Sequence, residues 1–322
     1  MSETVRRSAI VPPEAAGSRL DQVLAQLFPE FSRSRLQQWI KSGEVSVDGK
    51  QLKPKDKLFG GEAIELAGVI EEQEEVQAEP IALDIVFEDD AILVINKPAG
   101  LVVHPGTGNQ AGTVQNALLH HVPSLAGIPR AGLVHRLDKD TTGLMVIAKT
   151  LQSHKLLVEQ LQARTVRREY LALVNGTFTA GGKVDAPVGR HPRDRTRMGV
   201  TAAGRPAITH YRIAERFQAH TLLRVTLETG RTHQIRVHMA HIGHALVGDP
   251  TYGGRMVLPK GSNDAAREAL RGFRRQALHA TRLGLVHPQT EEEMSWEAPA
   301  PADMQALLEV MRRECPYVQA ER

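Results

Sequence analysis

The chain has 322 residues, 41% of them hydrophobic, enough to build a sizeable core in a catalytic domain and in a smaller module beside it. No apolar run reaches membrane-spanning length and no apolar stretch follows Met1–Arg7 to make a secretion signal, so a globular, cytoplasmic chain is expected. The single cysteine, Cys315, excludes an internal disulfide and a cysteine-built zinc site, while the net charge of +3 conceals two opposed regions. Residues 61–90 hold eleven acidic side chains and no Lys or Arg, whereas residues 91–290 hold 27 Lys or Arg against 11 Asp or Glu.

After a polar leader of about fifteen residues, Leu20, Val23, Leu24 and Leu27 recur at i, i+3, i+4 and i+7 and predict a helix. Ser32 is a candidate cap for a second helix over Arg33–Lys41, which Gly43 ends. Val45 and Val47 alternate with polar residues ahead of the Asp48-Gly49 hairpin signal, and Leu58–Leu66 supplies another short strand. Glu71–Glu75 is too acidic for a core and predicts a solvated linker.

Beyond the linker, Ile92–Ile95 is a continuous apolar run typical of a buried strand, ended by Lys97-Pro98. A lysine at such a strand end either reaches for solvent or faces a cleft. Thr113–His121 and Leu151–Gln162 predict helices, and Leu144–Ala148, Glu169–Val174, Leu223–Leu227 and Leu278–Val286 predict strands. Thr229-Gly230 breaks one strand, and Arg231 is expected to open a helix reaching about Ile242. Strands joined by hairpins as well as helices predict an α+β fold with a mixed, largely antiparallel sheet.

One stretch crowds charge and turn residues between two apolar runs: His135-Arg136-Leu137-Asp138-Lys139-Asp140-Thr141-Thr142-Gly143-Leu144. A carboxylate among cations, as Asp138 is between Arg136 and Lys139, is available as nucleophile or base, although a loop salt bridge would show the same pattern. The basic excess of the second half, mostly Arg, is the footprint of a nucleic-acid binder, with Arg offering a planar fork to phosphates and bases.

This stretch resembles the catalytic motif of the RluA family of pseudouridine synthases. Asn96-Lys97-Pro98, Arg168-Glu169-Tyr170 and Thr229–His238 extend the resemblance in the family's order, and Gly248–Gly254 is closest to the branch that acts on helix 69 of 23S ribosomal RNA. The resemblance implies a curved sheet with a central RNA-binding cleft over residues 81–322. It also implies isomerisation of uridine to pseudouridine in 23S rRNA of the large ribosomal subunit or its precursor, with no metal and no cofactor. Residue by residue it implies Asp138 as the catalytic carboxylate and Arg231 as its ion-pair partner. Tyr170 is then a stacking or proton-moving residue, and Ile235 packs on the other side of the base. Lys97 and His135 are expected against the pocket, and Arg136 as a wedge into the RNA stack. Residues 17–77 resemble an S4 RNA-binding domain, which implies RNA contacts from Arg33 and Arg35.

Other assignments start from the same residues. His233, His238, His241 and His244 invite a metal site, but their spacing is not His-Glu-x-x-His and no acidic residue falls among them. Asp138 and Asp140 are too close in one turn to suggest the opposed carboxylates of a glycosidase. A synthase for other rRNA or tRNA uridines, or a non-catalytic rRNA-binding or ribosome-assembly protein, would share much of the pattern. No heptad or exposed apolar stripe is evident, so a monomer is expected.

Overall fold

The apolar positions sort into a small sheet in the first and a main sheet in the second of the two units into which the chain divides, Met1–Glu75 and Val76–Arg322. The computed structural model describes residues 3–31, 33–70, 76–106 and 108–318. The proposed Ser32 cap and the Glu71–Glu75 linker lie outside the described residues.

The first unit runs β1 (Glu3–Ile10), α1 (Leu20–Leu27), α2 (Arg33–Ser42), β2 (Val45–Val47) and β3 (Ala63–Ile70), with antiparallel strand order β1-β3-β2. The helical spacing read from the sequence puts Leu20, Val23 and Leu24 on one face of α1, and they bury against Leu36, Trp39 and Ile40 of α2 and Val45, Ile64 and Leu66 of the sheet. The polar leader is a correction: residues 3–10 form β1, eight residues paired with β3, and bury Val5. Its charged side chains hide the strand because only one face is covered.

The second unit runs β4 (Ile85–Glu88), β5 (Ile92–Lys97), α3 (Val114–His121), β6 (Thr142–Ala148), α4 (Leu151–Ala163) and β7 (Arg167–Asn175). It continues with β8 (Gly182–Asp185), β9 (Val188–Arg190), β10 (Met198–Val200), β11 (Ile208–Arg216), β12 (His220–Leu227) and α5 (Gln234–His241). The last elements are α6 (Asp264–Gly272), β13 (Leu278–Val286), β14 (Glu293–Glu297) and α7 (Ala302–Glu314). The main sheet has the order β4-β5-β6-β13-β7-β12-β11-β8, with β14 also on β13, and β9 and β10 form a separate hairpin. The β6–β13 contact is the one parallel strand pairing in the main sheet.

Both faces of this sheet are covered at β5 and β6, which is why these strands read as unbroken apolar runs. Leu93, Ile95, Met145 and Ile147 enter one core, shared with Tyr170, Val225 and Ile235. Their strand neighbours Ile92, Val94, Leu144 and Val146 enter another, closed by Leu157 of α4. Side chains of this size contribute about 1.5–3 kcal/mol each when fully buried. Gly143 is fixed by β13: with φ +115° it holds β6 so close that a Cβ would strike the Ala280 carbonyl.

The candidate active site

An open cleft of about 580 Å³ lies in the second unit, lined by residues 133–138, the start of β7, and the segment from Leu227 to Arg236. Asp138 sits on the turn that joins the buried Leu137 to β6. Its backbone carbonyl accepts the Thr141 N–H at 3.0 Å. Gln276 donates to Thr141 Oγ1 at 3.0 Å and Arg275 to the Asp140 carbonyl at 3.2 Å. Upstream, Gly132 allows the chain to press on β6, because a Cβ there would collide with the Ala148 carbonyl. The carboxylate is thus held by its backbone from several sides while its oxygens face the cleft.

Arg236 Nη1 donates to Asp138 Oδ2 at 2.9 Å. The same guanidinium grips Asp249 through Nε at 2.7 Å and Nη2 at 2.9 Å, and Asp249 also accepts the Thr251 and Tyr252 N–H groups at 2.8 and 2.9 Å. Burial pushes the Asp249 carboxyl up, but the Arg236 fork and the two amides outweigh it and hold it below the usual carboxylate range. Burial likewise opposes the charge on Arg236, yet Asp249 and Asp138 raise its pKa above the ordinary guanidinium value.

His233 approaches Asp138 from the other side, Nε2 to Oδ1 at 3.7 Å. Burial lowers its pKa, with Asp138 opposing, so the ring is neutral at pH 7. The Met198 N–H donates to Tyr252 Oη at 3.0 Å, and the same hydroxyl lies 2.9 Å from His233 Nδ1.

Tyr170 and Ile235 both line the cleft and are both buried. Burial raises the Tyr170 pKa, Arg168 opposes and Asp138 adds to the rise, so the phenol stays protonated. Arg136 stands exposed on the cleft wall. His135 lines the cleft too, but its Nε2 accepts the Val146 N–H at 3.1 Å, and burial, aided by Arg168, draws its pKa down to about 3. It is a neutral ring tying the loop to β6.

Two expectations are corrected. Arg231 does not pair with Asp138; its Nε donates to the Pro206 carbonyl at 3.2 Å, and Arg236 takes the carboxylate. The cause is local. Gln234 Oε1 accepts the Arg231 N–H and the Thr229 hydroxyl, and His233 adopts left-handed φ 56°, so α5 begins at Gln234, three residues later than expected. Lys97 neither faces the cleft nor reaches solvent: it is fully buried, its Nζ donating to the carbonyls of Pro98, Leu101 and Lys139 at 2.8–2.9 Å. It is a tie beneath the Asp138 loop. Burial lowers its pKa to about 8, against Asp140 and Asp138.

Of the histidines considered for a metal, His238 bonds Thr209 Oγ1 and the Ala186 carbonyl, and His244 the Asn175 carbonyl. In the first unit Arg33 is not a free cation. It shares the buried Asp21 with Arg19 and Gln37, while Arg35 lies over the Trp39 ring.

The sequence model for RNA pseudouridylate synthase matches residues 91–241, and that for the S4 domain matches residues 18–64. A Xanthomonas campestris protein named ribosomal large subunit pseudouridine synthase D is 57% identical over 308 residues, covering 96% of this chain and 93% of the relative. The protein of that name from Pseudomonas aeruginosa is 57% identical over 314 residues, covering 98% of each. Among solved structures, human RNA pseudouridylate synthase domain containing 4 aligns with a TM-score of 0.56 and 27% identity over 71% of this chain and 92% of its own. With near full-length relatives at this identity, and an α+β sheet and S4 unit of the kind they imply, the chain belongs to the RNA pseudouridine synthase family and is an enzyme of that class.

Proposed function

We propose that the chain converts uridine to pseudouridine in 23S rRNA of the large ribosomal subunit, within the helix 69 stem-loop, and that Asp138 is the reacting carboxylate. The observation that carries this is the arrangement at the cleft: a backbone-anchored Asp138 between Arg236 and the Nε2 face of His233, with Tyr170 and Ile235 as apolar walls. The names of the relatives support the large-subunit substrate.

Pseudouridine forms when the bond from ribose C1′ to uracil N1 breaks, the base turns while still held, and C5 joins C1′. Atoms and electrons are conserved, so the chemistry asks for a carboxylate, a dry pocket and an extracted base. Asp138 adds to C1′ or C6, or takes the 2′ proton. Arg236 fixes its orientation, with His233 on its other side. Tyr170 and Ile235 flank a flat ring, and exposed Arg130 and Arg136 on the cleft wall meet the RNA backbone or the gap left in its stack.

The test is tritium release from helix 69 RNA carrying 5-tritiated uridine, with chelator present and no added cofactor. Wild type should release tritium, and Asp138→Asn should release none while binding RNA within a few-fold of wild type. Retained turnover in Asp138→Asn would remove Asp138 from the chemistry. Wild-type turnover of tRNA but not of helix 69 or 23S rRNA would sink the substrate.

A further inference from the structure

Among the described residues, one half-buried arginine in the cleft wall, Arg168, has neither a hydrogen-bond partner nor a carboxylate. Arg168 stands two residues before Tyr170 on β7, so the two side chains leave the same face of the strand. Its neighbours in the cleft are otherwise engaged: Arg236 holds Asp249 and Asp138, Arg164 meets Glu228 at 3.0 Å, and Arg231 donates to Pro206. Arg130 and Arg136 face water. Arg168 is half-buried, its Nε is closed off with no hydrogen-bond partner, and no carboxylate pairs with it among the described residues. Its Nη1 rests beside Gly230, 2.9 Å from where a Cβ would stand.

A guanidinium cannot shed its proton, and a buried donor left unpaired is destabilising by about 1–3 kcal/mol or more when charged. Such an arrangement is sensible where a ligand completes it. We propose that Arg168 is a further catalytic residue, donating to a carbonyl oxygen of the target uracil and taking up the negative charge that the ring gains as its glycosidic bond breaks. This rests on the pseudouridine-forming reading of the cleft.

The C1′–N1 electron pair stays with the uracil, shared among N1, O2 and O4. C1′ is completed by an Asp138 oxygen or, when Asp138 takes the 2′ proton, by a C1′–C2′ double bond. The turned ring then bonds C1′ through C5, C5 releases its proton, N1 gains one, and Asp138 regains its starting state. Addition of Asp138 to C6 would likewise place charge on O4. A phosphodiester is the poorer occupant: it stays with the RNA backbone, where Arg130 and Arg136 are exposed, whereas Arg168 is half-buried in the cleft wall next to Tyr170.

The experiment compares wild type, Arg168→Gln and Gly230→Ala as full chains. Each is given helix 69 RNA with uridine or 5-fluorouridine at the target, with affinity measured separately from the single-turnover rate of base rearrangement. Arg168→Gln should slow the uridine substrate about 100-fold or more, the loss seen when an oxyanion donor is removed, with RNA affinity within threefold. Fluorine stabilises the departing uracil anion, so the deficit should shrink on 5-fluorouridine. Gly230→Ala keeps the charge but crowds Nη1, and should show a smaller deficit with the same dependence on the base. Equal deficits on the two bases, an unchanged rate, or an affinity loss with a salt slope lower by about one, the mark of a phosphate contact, would each overturn the proposal. Wild-type silence on helix 69 RNA would fail the substrate reading alone, and the same ratios would then be taken on 23S rRNA.

Discussion

Asp21 in the first unit and Asp249 in the second have side chains fully closed to solvent, and each is surrounded by arginine, yet they do different work. Asp21 gathers Arg19, Arg33 and Gln37, and the arginines are 38% and 48% exposed, so their charge remains on the surface. Asp249 gathers one arginine, Arg236, which is 6% exposed and keeps a third nitrogen for Asp138. The first carboxylate arranges cations for whatever meets that surface. The second aims a cation inward at another carboxylate, which retains lone pairs toward the cleft. A buried acid of the same type thus holds solvent-facing arginines in one unit and orients a cleft carboxylate in the other.

Breaking the inward arrangement should have the largest effect. Arg236→Gln leaves Asp249 buried with only two amide donors and frees Asp138. A loss of about 3–5 kcal/mol is expected from the stranded charge, read by urea denaturation, together with a fall of 100-fold or more in single-turnover rate. Arg231→Gln should leave both close to wild type by comparison. Equal damage from the two variants would contradict the assignment of Arg236, rather than Arg231, as the residue that orients Asp138.

Lys97 sharpens the comparison, because it is a buried cation held by three carbonyls and no acid. Replacing it with Met leaves those carbonyls unpaired and should cost about 2–3 kcal/mol at pH 7, with slower turnover as the Asp138 loop loosens. Its pH dependence has a definite sign. Burial lowers the folded pKa to about 8 from an ordinary 10.5. Below about pH 8 both folded and unfolded chains hold the proton, and the penalty of the buried ammonium is present in full. Between about 8 and 10.5 the unfolded chain holds more protons, so the wild type gains stability with pH and its advantage over Lys97→Met widens. Urea denaturation of both at pH 7 and pH 10 reads this. A constant gap would mean that the three carbonyls hold the ammonium at its ordinary pKa.

These residues also mark how far the sequence is legible. β5 and β6 read directly as continuous apolar runs because they are buried on both faces, and Asp138, Tyr170 and Ile235 fall in motifs tied to strand or helix ends. The choice between Arg231 and Arg236 lies inside one motif and turns on a single left-handed residue, His233, which no hydrophobic period reveals. The carbonyls around Lys97 include one 42 residues away, a contact made only once β5 pairs with β6. Asp249 was visible within Gly248–Gly254, but its role needs the Arg236 fork to be seen. Arg168 was visible beside Tyr170, and what distinguishes it is a missing partner. β1, β8 and β11 are hard to read because half-covered strands with charged outer faces carry weak alternation, and β9 and β10, at three residues each, are too short to show a period.

The smallest effect should come from the outward arrangement. Asp21→Asn keeps one oxygen acceptor and removes the charge that Arg19 and Arg33 share. Because those guanidinium groups face water, the pairing is screened and the stability loss should be about 1–2 kcal/mol. RNA affinity should fall a few-fold as the two cations spread, with turnover at saturating RNA unchanged. A matching fall in turnover would mean that the Asp21 face acts beyond binding, and the division between a binding carboxylate and a reaction-aiming carboxylate would no longer hold.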